Sequence, residues 1–64
     1  MVKINGIQTE AQGKTLAQYL ADSSFDAKRV AVELNGKILP KAQYDSTFLC
    51  DGDSVEIVSF VGGG

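Results

Sequence analysis

The stretch Ser54-Val55-Glu56-Ile57-Val58-Ser59-Phe60-Val61 has the strongest strand pattern in the chain, and it leads directly into Gly62-Gly63-Gly64. β-branched and aromatic residues, which favour strands, make up most of it. A strand this apolar would be exposed to pairing with other chains if it lay at the edge of a sheet. We therefore expect it to lie inside a sheet, between two hairpins formed by the rest of the sequence.

Two Asn-Gly pairs predict those hairpins. Asn5-Gly6 lies in a first hairpin over roughly residues 1–11, and Asn35-Gly36 joins the β-branched run Val30–Leu34 to a return strand at residues 38–39. Both residue types tolerate positive φ, which the tight primed hairpin turns require. Pro40 ends the second return strand because it has no N–H for a ladder. Asp51-Gly52 is a third turn signal of the same kind.

One segment has helical character. Thr15 followed by Gln18 is a capping-box pattern, in which each side chain bonds the other residue's backbone N–H. Leu16, Tyr19 and Leu20 then form an apolar stripe at helical spacing. The pattern stops near Ser23, so the predicted helix has about eight residues and must be held by packing on a sheet.

The order hairpin, helix, hairpin, polar linker (residues 41–47) and strand predicts an α+β roll, a mixed sheet of four to five strands packed on one short helix. The helix side of the sheet is expected to hold Val55, Ile57, Val2 or Ile4, Leu16, Leu20, Val30, Val32 and Ile38. Glu56, Val58 and Phe60 are then expected on the opposite face. Val58 and Phe60 form either a docking patch for a partner or a minor second core with Phe48 or Leu49.

Composition limits the function. The 64 residues make one small domain, and a net charge of -2 gives no support to nucleic-acid binding. A single cysteine forms no internal disulfide, and no apolar run is long enough for a membrane span or a signal peptide, so we expect a cytoplasmic monomer. The absence of histidine excludes Cys/His metal sites and the usual near-neutral base. We therefore expect no catalytic residue, no metal site and no enzyme, but a protein on which partners act.

The glycine end offers chemistry to such a partner. Without Cβ atoms, Gly62–Gly64 can enter a narrow slot, and three extended residues reach about 10 Å. The terminal carboxylate is ionised at neutral pH and therefore a poor electrophile, so acyl chemistry would need prior activation by ATP. A frayed terminus or a leftover linker is the alternative explanation.

Three other signals receive simpler interpretations. Gly13-Lys14-Thr15 is similar to the end of a phosphate-binding loop, but Gln8 occupies the position where that motif needs glycine. We interpret it as a turn before a capped helix. Cys50 is expected to be a small buried or half-buried filler rather than a sulfur relay. The aspartates at 45, 51 and 53 lack the spacing of a calcium loop, so turn chemistry explains them.

The chain resembles the ThiS family, the small sulfur carriers of thiamin thiazole biosynthesis, which are relatives of ubiquitin in fold. The order of the matching segments, the short length and the double glycine at the C-terminus carry the resemblance. Those segments are residues 2–6, 15–20, 32–40, 51–58 and the glycine end.

The resemblance implies a β-grasp domain over residues 1–61 and a flexible tail over 62–64. It implies that a ThiF-type adenylyltransferase, using ATP and Mg²⁺, adenylates the Gly64 carboxylate. A sulfur donor, such as a cysteine desulfurase persulfide, would convert the adenylate to a thiocarboxylate, and a ThiG-type thiazole synthase would take the sulfur. Gly63 and Gly64 carry the cargo, Phe60, Val58 and Gly62 are candidates for partner docking, and the chain itself binds no cofactor.

Other functions remain open on the sequence. The chain could carry sulfur for another pathway, that of molybdopterin or cysteine. A ubiquitin-like modifier would begin with the same activation step but end in an isopeptide bond to a target lysine. A β-grasp binding module with an incidental glycine end is the third possibility.

Overall fold

The computed structural model describes residues 1–60 of the chain. Its elements follow the predicted order of hairpin, helix, hairpin and strand. They are β1 (Val2–Ile4), β2 (Ile7–Thr9), α1 (Leu16–Asp22), β3 (Val30–Leu34), β4 (Lys37–Leu39) and β5 (Ser54–Ser59), with single-turn 3-10 helices at Ala27–Arg29 and Lys41–Gln43. No helix within residues 1–60 is long and apolar enough to cross a membrane.

The five strands form one mixed sheet in the order β2-β1-β5-β3-β4, with β5 at its centre. β1 and β5 are parallel, whereas the β1–β2, β3–β4 and β3–β5 pairs are antiparallel. The central slot predicted for the last strand is therefore confirmed. This position pairs the most apolar strand on both sides and leaves two three-residue strands at the edges, where short strands limit unwanted pairing.

Both Asn-Gly pairs form the predicted hairpin turns. Asn5 and Gly6 have φ values of 49° and 84°, and Asn35 and Gly36 have nearly the same values, 52° and 84°. Two successive residues at positive φ define the primed turn that matches the twist of the flanking strands. The Asp51-Gly52 pair differs, because only Gly52 has positive φ (92°) and the turn leads into β5 without closing a hairpin.

The helix has the predicted cap and stripe. The Thr15 Oγ1 accepts a hydrogen bond from the Gln18 N–H at 3.1 Å, and the Gln18 Oε1 accepts one from the Thr15 N–H at 2.9 Å. At the other end, the Ser23 N–H donates to the Leu20 carbonyl. Leu16 and Leu20 are almost fully buried and join the core on one face of the sheet, as the stripe predicts.

The core contains all but one of the predicted residues. Its buried members are Val2, Ile4, Ala11, Leu16, Leu20, Val30, Val32, Tyr44, Leu49, Val55 and Ile57. The prediction for Ile38 is wrong, since that side chain is 78% exposed. The register explains the error: Ile38 lies directly opposite Glu33, so both point to the outer face, and half-buried Leu39 lies opposite Val32 instead.

The segment at 41–47 is more than the polar linker that the sequence predicts. Tyr44 follows the second 3-10 helix and is 5% exposed within the core. Its carbonyl accepts from the Ala17 N–H at 3.1 Å, and the Thr47 carbonyl accepts from the Leu16 N–H at 2.9 Å. These bonds satisfy two N–H groups in the first turn of α1, which has no earlier helical turn to accept them. The segment therefore fixes the helix against the core.

Strand β5 ends at Ser59, two residues earlier than predicted. Phe60 follows it, and the Phe60 N–H donates to the Arg29 carbonyl at 2.7 Å. Val61 and Gly62–Gly64 lie outside the described residues. The predicted boundary between a domain at 1–61 and a tail at 62–64 therefore stays a prediction.

Candidate functional site: the outer face of the sheet and the C-terminal end of β5

The candidate site lies where the central strand ends. The predicted modification residues Gly63 and Gly64, and the docking candidate Gly62, lie outside the described residues. The other two docking candidates, Val58 and Phe60, are described. Val58, on β5, pairs with Ala31 of β3. Phe60 lies just beyond the end of β5, where its N–H donates to the Arg29 carbonyl. Ala31 and Arg29 lie close together in the chain, and this segment supports the end of β5 from one side.

Large apolar side chains are exposed at this end of the sheet. Val58 is 56% exposed, Phe60 61% and Ile38 78%. Ala31 lies directly opposite Val58, and Ile38 lies opposite Glu33 on that same outer face. Ala31, Ile38 and Phe60 also line one shallow open groove. We call Ala31, Ile38, Val58 and Phe60 the outer-face patch.

The alternative of a second core is wrong. Leu49 belongs to the main core, on the helix side, and Phe48 is 60% exposed. Neither side chain covers Val58 or Phe60, which would both be buried in a second core. The two residues therefore form an exposed surface, which is the other arrangement that the sequence left open.

Two carboxylates border the outer-face patch. Glu33 and Glu56 are exposed and lie directly opposite each other on β3 and β5. Like charges in this arrangement are destabilising, so the pair does not serve the stability of the sheet. Within residues 1–60 neither carboxylate forms an ion pair. Two cations of the flanking segments are engaged elsewhere: the Lys41 ammonium donates to the Lys28 carbonyl at 2.8 Å, and Arg29 lies 3.7 Å from the Asp26 carboxylate. The arrangement suits a partner with an apolar centre and a basic rim.

The remaining polar signals have structural roles. Asp53 accepts hydrogen bonds from the Cys50 N–H at 2.8 Å and from the Asn35 amide at 3.0 Å, and Asp51 pairs with the Met1 ammonium. Lys14 forms an ion pair with Asp22. Within residues 1–60 no three His, Cys, Asp or Glu side chains lie together as metal ligands would.

Cys50 is exposed, so the expectation of a buried or half-buried filler is wrong. Its neighbour Leu49 takes the inward position, and Gly13 and Lys14 hold Leu49 there by two backbone hydrogen bonds of 2.8 Å. Cys50 then points away from the core as the chain enters the Asp51-Gly52 turn.

Sequence reasoning missed two features of this site. Ile38 belongs to the outer-face patch, and counting register from the two-residue turn would have shown it, because such a turn pairs Leu34 with Lys37 and Glu33 with Ile38. The second is the Asn5 side chain, whose amide bonds both backbone groups of Ile57. No local pattern indicates that contact, since it joins residues at opposite ends of the chain.

The central strand, the single capped helix and the mixed five-strand sheet define a β-grasp protein of the ubiquitin-like class, with a glycine run at its C-terminus. The sequence profile of the ThiS family matches residues 2–64. The chain therefore belongs to the ThiS family.

Individual relatives agree with this assignment. The sulfur carrier protein ThiS of Bacillus subtilis is 39% identical over 66 residues, with both chains covered completely. The crystal structure of the thiamine biosynthesis protein ThiS from Geobacter metallireducens is 36% identical and superimposes with a TM-score of 0.75, over 98% of this chain and 97% of that one.

A relative of a different size carries a similar segment. A protein named thiazole synthase from Paramagnetospirillum magneticum is 40% identical over 62 residues. The match covers 95% of this chain but only 19% of that protein, so this chain spans about a fifth of its length.

Proposed function

We infer that this chain is a sulfur carrier of thiamin biosynthesis, which carries sulfur as a thiocarboxylate on Gly64. The observation that supports this most strongly is the match to the ThiS family, which runs through the glycine end. The structure adds a scaffold suited to presenting that end. The strand that precedes the glycines, β5, is central in the sheet, and Val55 and Ile57 anchor it in the core. The exposed side chains of Val58 and Phe60 lie at its C-terminal end.

The chemistry requires activation, because an ionised carboxylate resists nucleophilic attack. A carboxylate oxygen of Gly64 attacks the α-phosphorus of ATP, and pyrophosphate leaves. The terminal sulfur of a donor persulfide then attacks the acyl carbon, and AMP leaves. A second thiol cleaves the sulfur–sulfur bond, which gives the thiocarboxylate and a disulfide. ATP and Mg²⁺ are bound by a ThiF-type adenylyltransferase in this scheme, and this chain binds neither.

We assign the catalytic groups to the partners rather than to this chain. The chain has no histidine, and its aspartates at 51 and 53 are engaged in turn contacts. Its own contribution is to present a slender acyl group. Gly63 and Gly64 fit that role, since residues without a Cβ pass through a narrow channel that other side chains would block.

The outer-face patch is the proposed docking surface. Val58 and Phe60 lie immediately before the glycine end, so a partner that covers them also receives the tail, and Gly62 lies on the path between. Burial of a large apolar side chain contributes about 1.5–3 kcal/mol. The bordering Glu33 and Glu56 would then select a partner with basic residues at the rim.

A thiazole synthase is the proposed acceptor of the sulfur. Two relatives named thiazole synthase, from Paramagnetospirillum magneticum and Magnetococcus marinus, contain a segment similar to this chain within a longer polypeptide. The presence of a segment similar to this chain within proteins of that name supports association of this chain with a separate thiazole synthase. A free monomer in the cytoplasm remains our expectation from the sequence.

Intact mass spectrometry tests the proposal. The chain is incubated with a ThiF-type adenylyltransferase, ATP, Mg²⁺ and a persulfide donor. We expect the mass to rise by the difference between a sulfur and an oxygen atom, and to return to its original value after a thiazole synthase and its substrates are added. High-mass adducts to other proteins would indicate a ubiquitin-like modifier, and an unchanged mass would indicate a binding module.

A further inference from the structure

The two Asn-Gly turns hold β5 from opposite sides. Asn35 contacts the start of the strand: its N–H donates to the Ser54 carbonyl at 2.7 Å, and its Oδ1 accepts from the Ser54 N–H at 2.9 Å. Asn5 contacts the strand further along. Its N–H donates to the Val55 carbonyl at 2.8 Å, and its side-chain amide reaches Ile57.

The Asn5 amide satisfies both backbone groups of Ile57. Its Oδ1 accepts from the Ile57 N–H at 2.7 Å, and its Nδ2 donates to the Ile57 carbonyl at 3.1 Å. β1 pairs with β5 only through Lys3 opposite Ser54 and Ile4 opposite Val55, because the chain then turns back into β2. The side chain of Asn5 therefore takes the place of the next strand residue.

Past Val55, β5 is supported unequally. On one side it pairs with β3 as far as Ser59. On the other side, within residues 1–60, the Asn5 amide supplies the hydrogen bonds beyond the end of β1. Without it, β5 would have a partner only on the β3 side from Ile57 onward and would lie at the edge of the sheet there. An edge strand is freer to change its twist than a strand that is paired on both sides.

We propose that Asn5 is a positioning residue for sulfur loading, because it fixes the direction in which β5 delivers Phe60 and the glycine end to a partner. The inference rests on the proposed function. Acyl transfer demands close alignment, and a misplacement of about 1 Å can cost about a hundredfold in rate. A change of twist at Ile57 is carried forward to Val58, Ser59 and Phe60.

The chain supplies a matched control. Asn5 and Asn35 occupy the same turn position with nearly the same φ, and each bonds β5 through its amide. Asn5→Gly and Asn35→Gly both remove the amide and keep a residue suited to positive φ. The rate of thiocarboxylate formation is measured by intact mass over a range of carrier concentrations, beside urea unfolding of each variant.

We expect both variants to lose stability, and only Asn5→Gly to lower the kcat/KM of the adenylyltransferase for the carrier, by about fivefold or more. Equal kcat/KM values for the two variants would overturn the proposal. Asn5→Asp, which keeps the acceptor for the Ile57 N–H but loses the donor, should give an intermediate kcat/KM, and it serves as the readout if Asn5→Gly does not fold. A wild-type chain that is never loaded would overturn the proposed function itself, which is a separate outcome.

Discussion

At the scale of single residues, Leu20 and Ile38 have opposite surroundings, although both are large and aliphatic. Leu20 is 1% exposed, and Ile38 is 78% exposed. Leu20→Ala should therefore lower the free energy of unfolding by about 2–5 kcal/mol, through lost burial and the cavity left behind. Ile38→Ala should change it by about 0.5 kcal/mol or less. Urea unfolding of the two variants measures both values, and a large loss from Ile38→Ala would contradict the register described for β4.

Tyr44 gives the stability a pH dependence at the alkaline end. Burial raises the pKa of Tyr44 above its ordinary value of 10.0. In the unfolded chain the phenol ionises near that value, while the folded chain still holds the proton. The stabilisation is therefore complete below about pH 10 and is lost as the pH rises through the folded pKa.

The Tyr44→Phe variant isolates the contribution of Tyr44 to this pH dependence. We expect the wild type to lose stability faster than Tyr44→Phe as the pH is raised from about 9 to about 11. Urea midpoints measured across this range for both proteins give the comparison. Parallel curves would show that Tyr44 ionises equally well in the folded chain.

At the scale of elements, β5 supplies core side chains on one face and Val58 of the outer-face patch on the other. Val58→Asp should leave the fold intact and lower the kcat/KM for thiocarboxylate formation by about tenfold, because it places a charge in the proposed interface. Ile7→Asp is the matched control: Ile7 is 68% exposed and lies at the β1–β2 hairpin, two strands away from β5.

Unfolding of Val58→Asp would argue that Val58 belongs to a core. A value of kcat/KM equal to that of Ile7→Asp would show that the outer-face patch is not a docking surface for the adenylyltransferase. Phe60→Asp provides a second test of the same surface, since Phe60 lies beyond the end of β5 and its change does not disturb strand propensity.

Local signals predicted most of the elements. The Asn-Gly pairs predicted both hairpins because two residues at positive φ leave few other solutions, and the Thr15–Gln18 capping box predicted where α1 begins. The central position of β5 was predicted by excluding an apolar edge. Burial of Tyr44 could not be predicted in this way. It depends on tertiary contacts between the 41–47 segment and α1, and these contacts produce no periodic pattern in the sequence.

The candidate site was predicted less completely than the fold. The sequence placed Val58 and Phe60 on the outer face but left open whether other residues covered them. Alternation of side chains along a strand predicts which face of the sheet a residue lies on, but it does not predict what packs against that face. Asn5 was predicted only as a turn residue. Its amide bonds to Ile57 arise because β1 ends opposite Val55 while β5 continues to Ser59, which is a property of the assembled sheet.

At the scale of the whole molecule, we expect the domain and the glycine end to have separable roles. Gly63→Trp, or deletion of Gly64, should abolish loading with sulfur and leave the free energy of unfolding within about 0.5 kcal/mol of the wild type. The physical reason is that the bulky side chain blocks the channel, and the deletion shortens the reach of the carboxylate by about 3.3 Å. Loading of Gly63→Trp at the wild-type rate would show that no narrow channel is involved.

The central claim is that the sulfur is carried on the carboxyl group of Gly64 and not on the exposed thiol of Cys50. Fragmentation mass spectrometry of the loaded chain distinguishes the two atoms. We predict replacement of one oxygen by sulfur, found only in fragments that contain Gly64 and undiminished in Cys50→Ser. Addition of a sulfur atom to fragments that contain Cys50, lost in Cys50→Ser, would contradict the account.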